Sequence, residues 1–374
     1  MRDGWKSARL GEVCTLQRGF DLPTQDRRPG GFPLISSSGS IDSHDEARVD
    51  GPGVVTGRSG SIGKVFYIED DFWPLNTTLY VRNFHGFDPR FVYYLLCGLD
   101  LKSYAGGTGV PTLNRNDVHG ELVNVPTDIC EQQRIVAILE EAFAGIATVR
   151  ANAEKNLQNA RELFEVYLAS VFAQTGASTS LAECSRTISD GDHAPPPKSV
   201  TGIPFITISN VDKESRRVDL RDTFMVSREY FDSLKSHRKP RRGDVLYTVT
   251  GSFGIPVLVQ DEPDFCFQRH IGLIRPQDHV DSQWLAYALL SPQVRAQAEA
   301  GATGTAQRTV SLSVLREMRI PKVEPEEQRA TAARIDAFEM HSLRLRSIAK
   351  AKLAALDELK KSLLHQAFSG KNAI

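Results

Sequence analysis

The chain has 374 residues with an apolar content of 41% and a charged content of 24%, which is ordinary for a globular protein of two or three domains. Its net charge of −1 excludes a simple strongly basic nucleic-acid binder, so any DNA-binding role needs clustered cations or a partner that shares the phosphate work. The five cysteines are odd in number and scattered, with no C-x-x-C pair, so neither a disulfide framework nor a zinc site is expected.

In chain order, the first 128 residues read as short β-like runs bounded by Gly, Pro, Asn and Asp. Examples are Gly53–Thr56, Lys64–Ile68 and Thr78–Val81, with a short helix at Pro89–Cys97. From Glu131 to Phe172 the pattern changes to a helix. Ile135, Ile138, Ala142, Val149, Ala160, Leu163 and Tyr167 recur at steps of three, four or their sums. Thr127-Asp128 offers an N-cap and Gly176 a stop. Residues 176–323 return to short β-like runs, among them Asp244–Val249 and Ile271–Ile274, with a helical piece at Ser282–Leu290 and a break at Ala194-Pro195-Pro196-Pro197. A second helix follows from about Glu326 to Phe368, its stripe running through Ile335, Phe338, Leu345, Leu356, Leu359 and Leu363. Each helix of about 40 residues would be roughly 60 Å long. One that long is not stable alone on a single stripe, so the two stripes are expected to pack on each other, antiparallel. The expected fold class is therefore α+β, with an α+β globule at 1–128, a helix at 129–175, a second α+β globule at 176–323 and a helix at 324–374. No stretch is apolar enough to span a bilayer, and Met1–Lys6 lacks the apolar centre of a signal peptide, so a cytoplasmic location is expected.

The chain repeats itself. Val125-Pro126…Glu131-Gln132-Gln133-Arg134 is echoed by Ile320-Pro321…Glu326-Glu327-Gln328-Arg329, at an offset of 195 (321 less 126, 329 less 134). Phe172 and Phe368 differ by 196, which implies a one-residue insertion between them. Gly31–Ser36 echoes Gly202–Thr207, Gly60-Ser61-Ile62-Gly63 echoes Gly251-Ser252-Phe253-Gly254, and Gly106–Gly109 echoes Gly301–Gly304. Two units of this length are two domains rather than a solenoid.

Motifs for chemistry are absent. There is no G-x-x-x-x-G-K-[ST] loop, no Gly-rich loop at dinucleotide-binding spacing, and no metal-like histidine pair among the nine histidines. No catalytic residue, metal ligand or cofactor is therefore assigned. Residues suited to DNA are present. Lys235, His237, Arg238, Lys239, Arg241 and Arg242 form the densest cation run, suited to phosphate neutralisation. Gln268-Arg269-His270 and Gln307-Arg308 carry the forks that read purine edges. Arg58, Ser59, Ser61 and Lys64, then Thr112, Asn114 and Arg115, are candidates of the same type in the first copy, and Ser252 in the second.

Two divergent globules, each followed by a proline, a Glu-x-Gln-Arg element and a long helix, resemble the specificity subunits of type I restriction–modification systems. Trp5…Leu10-Gly11-Glu12, Gly60-Ser61-Ile62-Gly63-Lys64 and Gly107-Thr108-Gly109…Pro111-Thr112-Leu113-Asn114 support the resemblance, which covers essentially the whole chain. It implies two α/β target-recognition globules joined by an antiparallel coiled coil. Each globule would read one half of a split site on double-stranded DNA, and the helices would measure the spacer. It also implies two modification (adenine methyltransferase) subunits as partners, which restriction subunits with motor and nuclease activity can join. The second copy departs from the pattern: Thr305-Ala306-Gln307-Arg308-Thr309 stands where Pro-Thr-Leu-Asn is expected. The rival readings are a free-standing nuclease with a cryptic metal site and a protein scaffold with no DNA role.

Overall fold

A computed structural model describes residues 3–106, 111–173, 176–193, 196–260, 263–305 and 307–370. The chain forms two compact units, residues 1–154 with 350–374 and residues 155–349. The expected boundaries at 128 and 323 do not coincide with this division, because each unit contains part of both long helices.

In unit 1 a four-stranded sheet has the order Thr15–Arg18, Thr78–Asn83, Gly53–Gly57, Val65–Ile68, all antiparallel. Beside it lies a three-stranded sheet, Gly39–His44, Phe32–Ser36, Trp73–Pro74, the last pair parallel. Strand Gly53–Gly57 is buried along its whole length because both its faces are covered. Val54 enters the core shared with the helix Pro89–Gly98, while Val55 enters a second core with Ile35, Phe72 and Tyr80. Trp5–Arg9 pairs with Leu122–Pro126 and closes the globule.

Unit 2 repeats this plan. Its four-stranded sheet runs Ser185–Asp190, Ile271–Pro276, Val245–Thr248, Pro256–Leu258. Its three-stranded sheet is Phe224–Val226, Ile203–Ile206, Cys266–Phe267, again with the last pair parallel. Ser178–Ser180 pairs with Arg319–Pro321 in the role of the closing strands. The expected break at Ala194–Pro197 falls partly outside the described residues, as does most of the Gly106–Gly109 segment.

The long helices span Ile129–Ala173 and Pro325–Phe368. Asp128 caps the first, its carboxylate accepting from the Cys130 amide at 3.1 Å. Pro325 opens the second, where its missing N–H costs nothing. Gly370 takes the left-handed conformation just past the second helix (φ 66°). Most of the expected stripe faces inward, Ile135, Ile138, Ala142, Val149, Ala160, Tyr167, Ile335, Phe338, Leu356 and Leu363 being buried or half-buried, but Leu163, Leu345 and Leu359 are 52%, 52% and 46% exposed. A seven-residue period runs through the buried positions. In the first helix Gln132, Leu139, Ile146, Ala153, Ala160 and Tyr167 are buried or half-buried, as are Val136, Phe143, Arg150, Leu157, Phe164 and Val171. In the second the same holds for Gln328, Ile335, Ser342, Ala349, Leu356 and Leu363. A 3.5-residue seam drifts about 20° per heptad from a straight 3.6-residue helix, which is why a straight reading slips to neighbouring leucines over six heptads.

Within each unit the start of one long helix lies against the end of the other, so the pairing is antiparallel in both. In unit 1 Ile135, Val136 and Leu139 share a core with Leu364 and Ala367, and Arg150 meets Asp357 at 2.5 Å. In unit 2 the Ser342 hydroxyl donates to the Ala160 carbonyl at 2.8 Å, and Tyr167 stacks on Phe338 at 4.1 Å. Among the described residues no helix is long and apolar enough to cross a membrane.

The structure also corrects the repeat frame. Gln132 is 3% exposed; its carbonyl accepts from the Asp88 amide at 2.9 Å and its amide donates to the Pro126 carbonyl at 3.2 Å. Gln328, 4% exposed, does the same with the Asp281 amide at 2.8 Å and the Val323 carbonyl at 2.9 Å. Asp88 and Asp281 in turn cap the short helices Pro89–Gly98 and Ser282–Leu290. Gln132 is thus the counterpart of Gln328, an offset of 196 (328 less 132) that also relates Phe172 to Phe368. The helices repeat without insertion. The extra residue lies before the second helix, between Pro321 and Gln328.

Candidate nucleic-acid interface

The most closely repeated feature of the two units is a small concavity beside the four-stranded sheet. Each begins at a Gly-Ser turn whose two glycines take left-handed φ: Gly60 and Gly63 at 78° and 82°, Gly251 and Gly254 at 71° and 89°. The residue before each turn forms a bridge, Ser59 to Thr112 and Thr250 to Thr309. One residue earlier, the Arg58 carbonyl accepts from Leu113 N and the Val249 carbonyl from Val310 N, each at 2.8 Å. Asn114 then caps the helix Arg115–His119, and Ser311 caps the helix Leu312–Glu317. Thr309-Val310-Ser311 is therefore the second copy of Thr112-Leu113-Asn114. The departure expected at 305–309 was a misplacement of three residues, caused by a loop of different length ahead of a short and variable element.

A second wall is held by a close backbone crossing. A Cβ on Gly19 would stand 2.3 Å from the Leu75 carbonyl oxygen, and one on Gly191 would stand 2.0 Å from that of Phe267. Only glycine allows this approach. It fixes Arg18 and Asp21 in unit 1, and Asp190 and His193 in unit 2, beside the turns Leu75–Thr78 and Gln268–Ile271. In unit 1 the concavity is lined by Arg18, Arg58, Thr112, Asn114 and Arg115 among others. In unit 2 it is lined by Asp190, His193, Arg269, His270, Gln307 and Thr309 among others.

The candidates from sequence divide accordingly. Arg58, Thr112, Asn114 and Arg115 converge in unit 1, with Ser59 bridging behind them, and Arg269, His270 and Gln307 converge in unit 2. Burial, then the neighbouring Arg269, holds the His270 imidazole below its ordinary pKa and so favours the neutral ring. Ser61 and Lys64 lie in the Gly-Ser turn outside the lining, and Ser252, in the matching turn, accepts from Lys213 Nζ at 2.8 Å. Gln268 is half-buried, and its backbone N–H donates to the Ile206 carbonyl. Arg308 lies over the Phe253 ring at 5.5 Å and donates to the Glu299 carbonyl. The cation run is partly committed to structure. Arg238 lies between Asp190 (3.5 Å) and Asp192 (3.3 Å), and Lys239 lies over Phe231 and donates to the Asp232 carbonyl. Arg241 and Arg242 are exposed. Arg18, Asp21, Asn76, Asp190 and His193 were missed from sequence. Their one signal is the echo of Arg18-Gly19-x-Asp21 in Asp190-Gly191-x-His193, too short to notice without the sheet.

A family described as the type I restriction modification DNA specificity domain matches residues 2–158 and 183–353. The chain is 19% identical over 417 residues to the type I restriction enzyme EcoBI specificity subunit of Escherichia coli, covering 99% of this chain and 87% of that one. A chain from a structure reported for complex assembly and conformational transition of the type I R-M system superposes with a TM-score of 0.77 at 21% identity, covering 100% of this chain and 99% of that one. The HsdS subunit of Thermoanaerobacter tengcongensis gives 0.57 at 22% identity, with 99% and 98% covered. These likenesses carry the fold, and the family match extends over both units. The chain belongs to the type I restriction–modification DNA specificity family.

Proposed function

We propose that this chain is the non-catalytic subunit that chooses the DNA sequence for a type I restriction–modification complex, with residues 1–128 and 176–323 each reading one half of a split site. The observation that carries this reading is the twice-built concavity. The backbone is the same at the turn, the bridge, the cap and the glycine crossing, while the side chains facing the open space differ. The same frame with different side chains suits one docking mode applied to two base sequences, because phosphate contacts position and base contacts specify. The family match favours this over a free-standing nuclease or a scaffold without DNA. The chemistry then belongs to two modification subunits, which methylate adenine, and to restriction subunits that join them. Two similar surfaces in one chain suit two identical partners. The work is assigned to the cytoplasm, on double-stranded DNA, with Arg241 and Arg242 gripping phosphate.

The test is to replace residues 176–323 with the second globule of another family member and map methylated sites with the modification subunits present. One half-site should change and the other stay. A change in both, or in neither, overturns the proposal. The long helices, residues 129–175 and 324–374, would set the spacer. Adding one heptad to each keeps the seam in register and lengthens the pair by about 10.5 Å, or about three base pairs at 3.4 Å each.

A further inference from the structure

The turn that follows the parallel strand pair is built alike in both units: in unit 2 Arg269 and His270 line the concavity, and in unit 1 Asn76 and Thr77 line a neighbouring hollow together with Asp21. Thr78 N donates to the Leu75 carbonyl at 2.9 Å, and Ile271 N donates to the Gln268 carbonyl at 3.1 Å. The amides of Arg58 and Val249 reach back to Thr77 and His270 in the same turns, at 2.8 and 2.9 Å. Asn76 and Arg269 are therefore counterparts, each the second residue of its turn. Asp21 and His193 are counterparts as well, as are Arg18 and Asp190, through Gly19 and Gly191.

The two sets are wired differently. In unit 1 Asp21 is the hub: the Asn76 side-chain amide donates to it, and Arg18 donates to both its oxygens at 3.3 and 3.4 Å. Asn76 is tethered through one N–H, and its oxygen and second N–H have no partner among the described residues. In unit 2 the hub has moved to Asp190, which holds His193 at 2.8 Å and Arg238 at 3.5 Å. Arg269 is exposed, and its guanidinium has no hydrogen-bond or ion-pair partner among the described residues.

We propose that positions 76 and 269 are one base-reading seat used twice, with Asn76 selecting adenine in one half-site and Arg269 selecting guanine in the other. The chemistry follows from the free groups. An amide with one oxygen and one N–H available matches the N6 and N7 edge of adenine, and a free guanidinium fork matches O6 and N7 of guanine. Asp21 and the His193–Asp190 pair are positioning groups, which decide whether the seat is tied down or left open.

This inference rests on the two-reader proposal above, and the experiment separates the two. Arg269→Asn is made in the full chain, both alone and with His193→Asp to recreate the Asp21 tether, and methylated sites are mapped with the modification subunits present. Preference at a single base position of one half-site should move from guanine toward adenine, by about 5- to 150-fold for a bidentate pair. The double variant should show the sharper adenine preference. Asp21→Ala should broaden the matching position of the other half-site, a change that a merely structural role would not confine to one base. An unchanged motif, or an even loss across all sequences, overturns the seat. If the globule exchange still alters one half-site, the seat alone has failed; if that exchange is also silent, the two-reader proposal has failed with it.

Discussion

Both units seat their short helix on a long one, but they fill the same positions with opposite chemistry. In unit 1 Arg90 pairs with Glu140 at 2.7 Å on the outside, and Tyr94 packs on Phe143 further in. The counterparts in unit 2 are Gln283 with Asp336 at 3.1 Å, and Tyr287 with Glu339 at 2.8 Å. A carboxylate therefore replaces an aromatic ring at a buried place. Burial of a charge is costly unless it is paired, and unit 2 supplies the pair from elsewhere. The two residues Ser37-Ser38 that join adjacent strands in unit 1 are replaced by residues 207–223, which form a hairpin of Val211–Asp212 with Arg217–Val218. At its tip Arg216 adopts a left-handed φ of 52° and forms an ion pair with Glu339, beside the Phe164 ring. Glu214 of the same hairpin pairs with Arg346 and with Arg161 at 3.8 Å. One globule is thus attached by apolar packing with a half-buried ion pair. The other is attached by a buried polar network that an inserted hairpin completes.

The strongest way to break this contrast is to remove Arg216. Arg216 and Glu339 are 17% and 11% exposed, so solvent screens them little. Arg216→Ala should cost unit 2 about 3–5 kcal/mol, the usual price of leaving one buried charge unpaired. Adding Glu339→Gln should recover most of it, because an amide still accepts from Tyr287 without needing a counter-charge. Urea unfolding of the single and double variants is the measurement. A single variant as stable as the parent would show that the hairpin is ornamental.

A smaller and symmetric effect is expected at the glutamine clamp. Gln132→Ala and Gln328→Ala each strip a partner from a buried amide and a carbonyl, at about 1–3 kcal/mol. The two losses should be nearly equal, since the geometry is the same in both units. A large difference would mean that the units rely unequally on this joint.

How far these features could be read from sequence depends on their length. The long helices were legible to within two residues at each end, since a stripe repeated over six heptads outweighs any single exception. Strand Gly53–Gly57 and the helix Ser282–Leu290 were legible for the same reason, each being a run of strong formers between clear stops. The clamp's Gln was visible as part of Glu-x-Gln-Arg, but its frame was not. Gln133 and Gln132 look alike in sequence, and only the bonds to Asp88 and Pro126 distinguish them. The concavity was half legible. Arg58, Asn114 and Arg269 stood beside repeated motifs, whereas Asn76 and Asp21 are brought together across 55 residues by a glycine crossing that leaves no local signature. The buried Glu339 could not be foreseen at all, because its partner comes from an insertion unique to one copy.

The smallest expected effect concerns pH and falls on unit 1. His119 Nε2 accepts from the Leu16 amide at 2.8 Å, so the bond requires the neutral ring at that nitrogen. Burial first, and the nearby Arg115 second, hold its pKa below the ordinary value. A depressed histidine pKa means that the unfolded chain takes up the proton more readily. The stabilisation is therefore complete above about pH 6.5, the unfolded value, and is lost as pH falls toward and through the lower folded value. The counterpart in unit 2 is Arg316, which donates to the Ile188 carbonyl at 3.0 Å. His270 also titrates low, so the contrast is best drawn by substitution rather than between units. His119→Gln keeps an acceptor for Leu16 and removes the titration. Between pH 7 and pH 5 the variant's melting temperature should fall less than the parent's. Equal falls would place the acid sensitivity elsewhere and leave the His119 bond without a role in it.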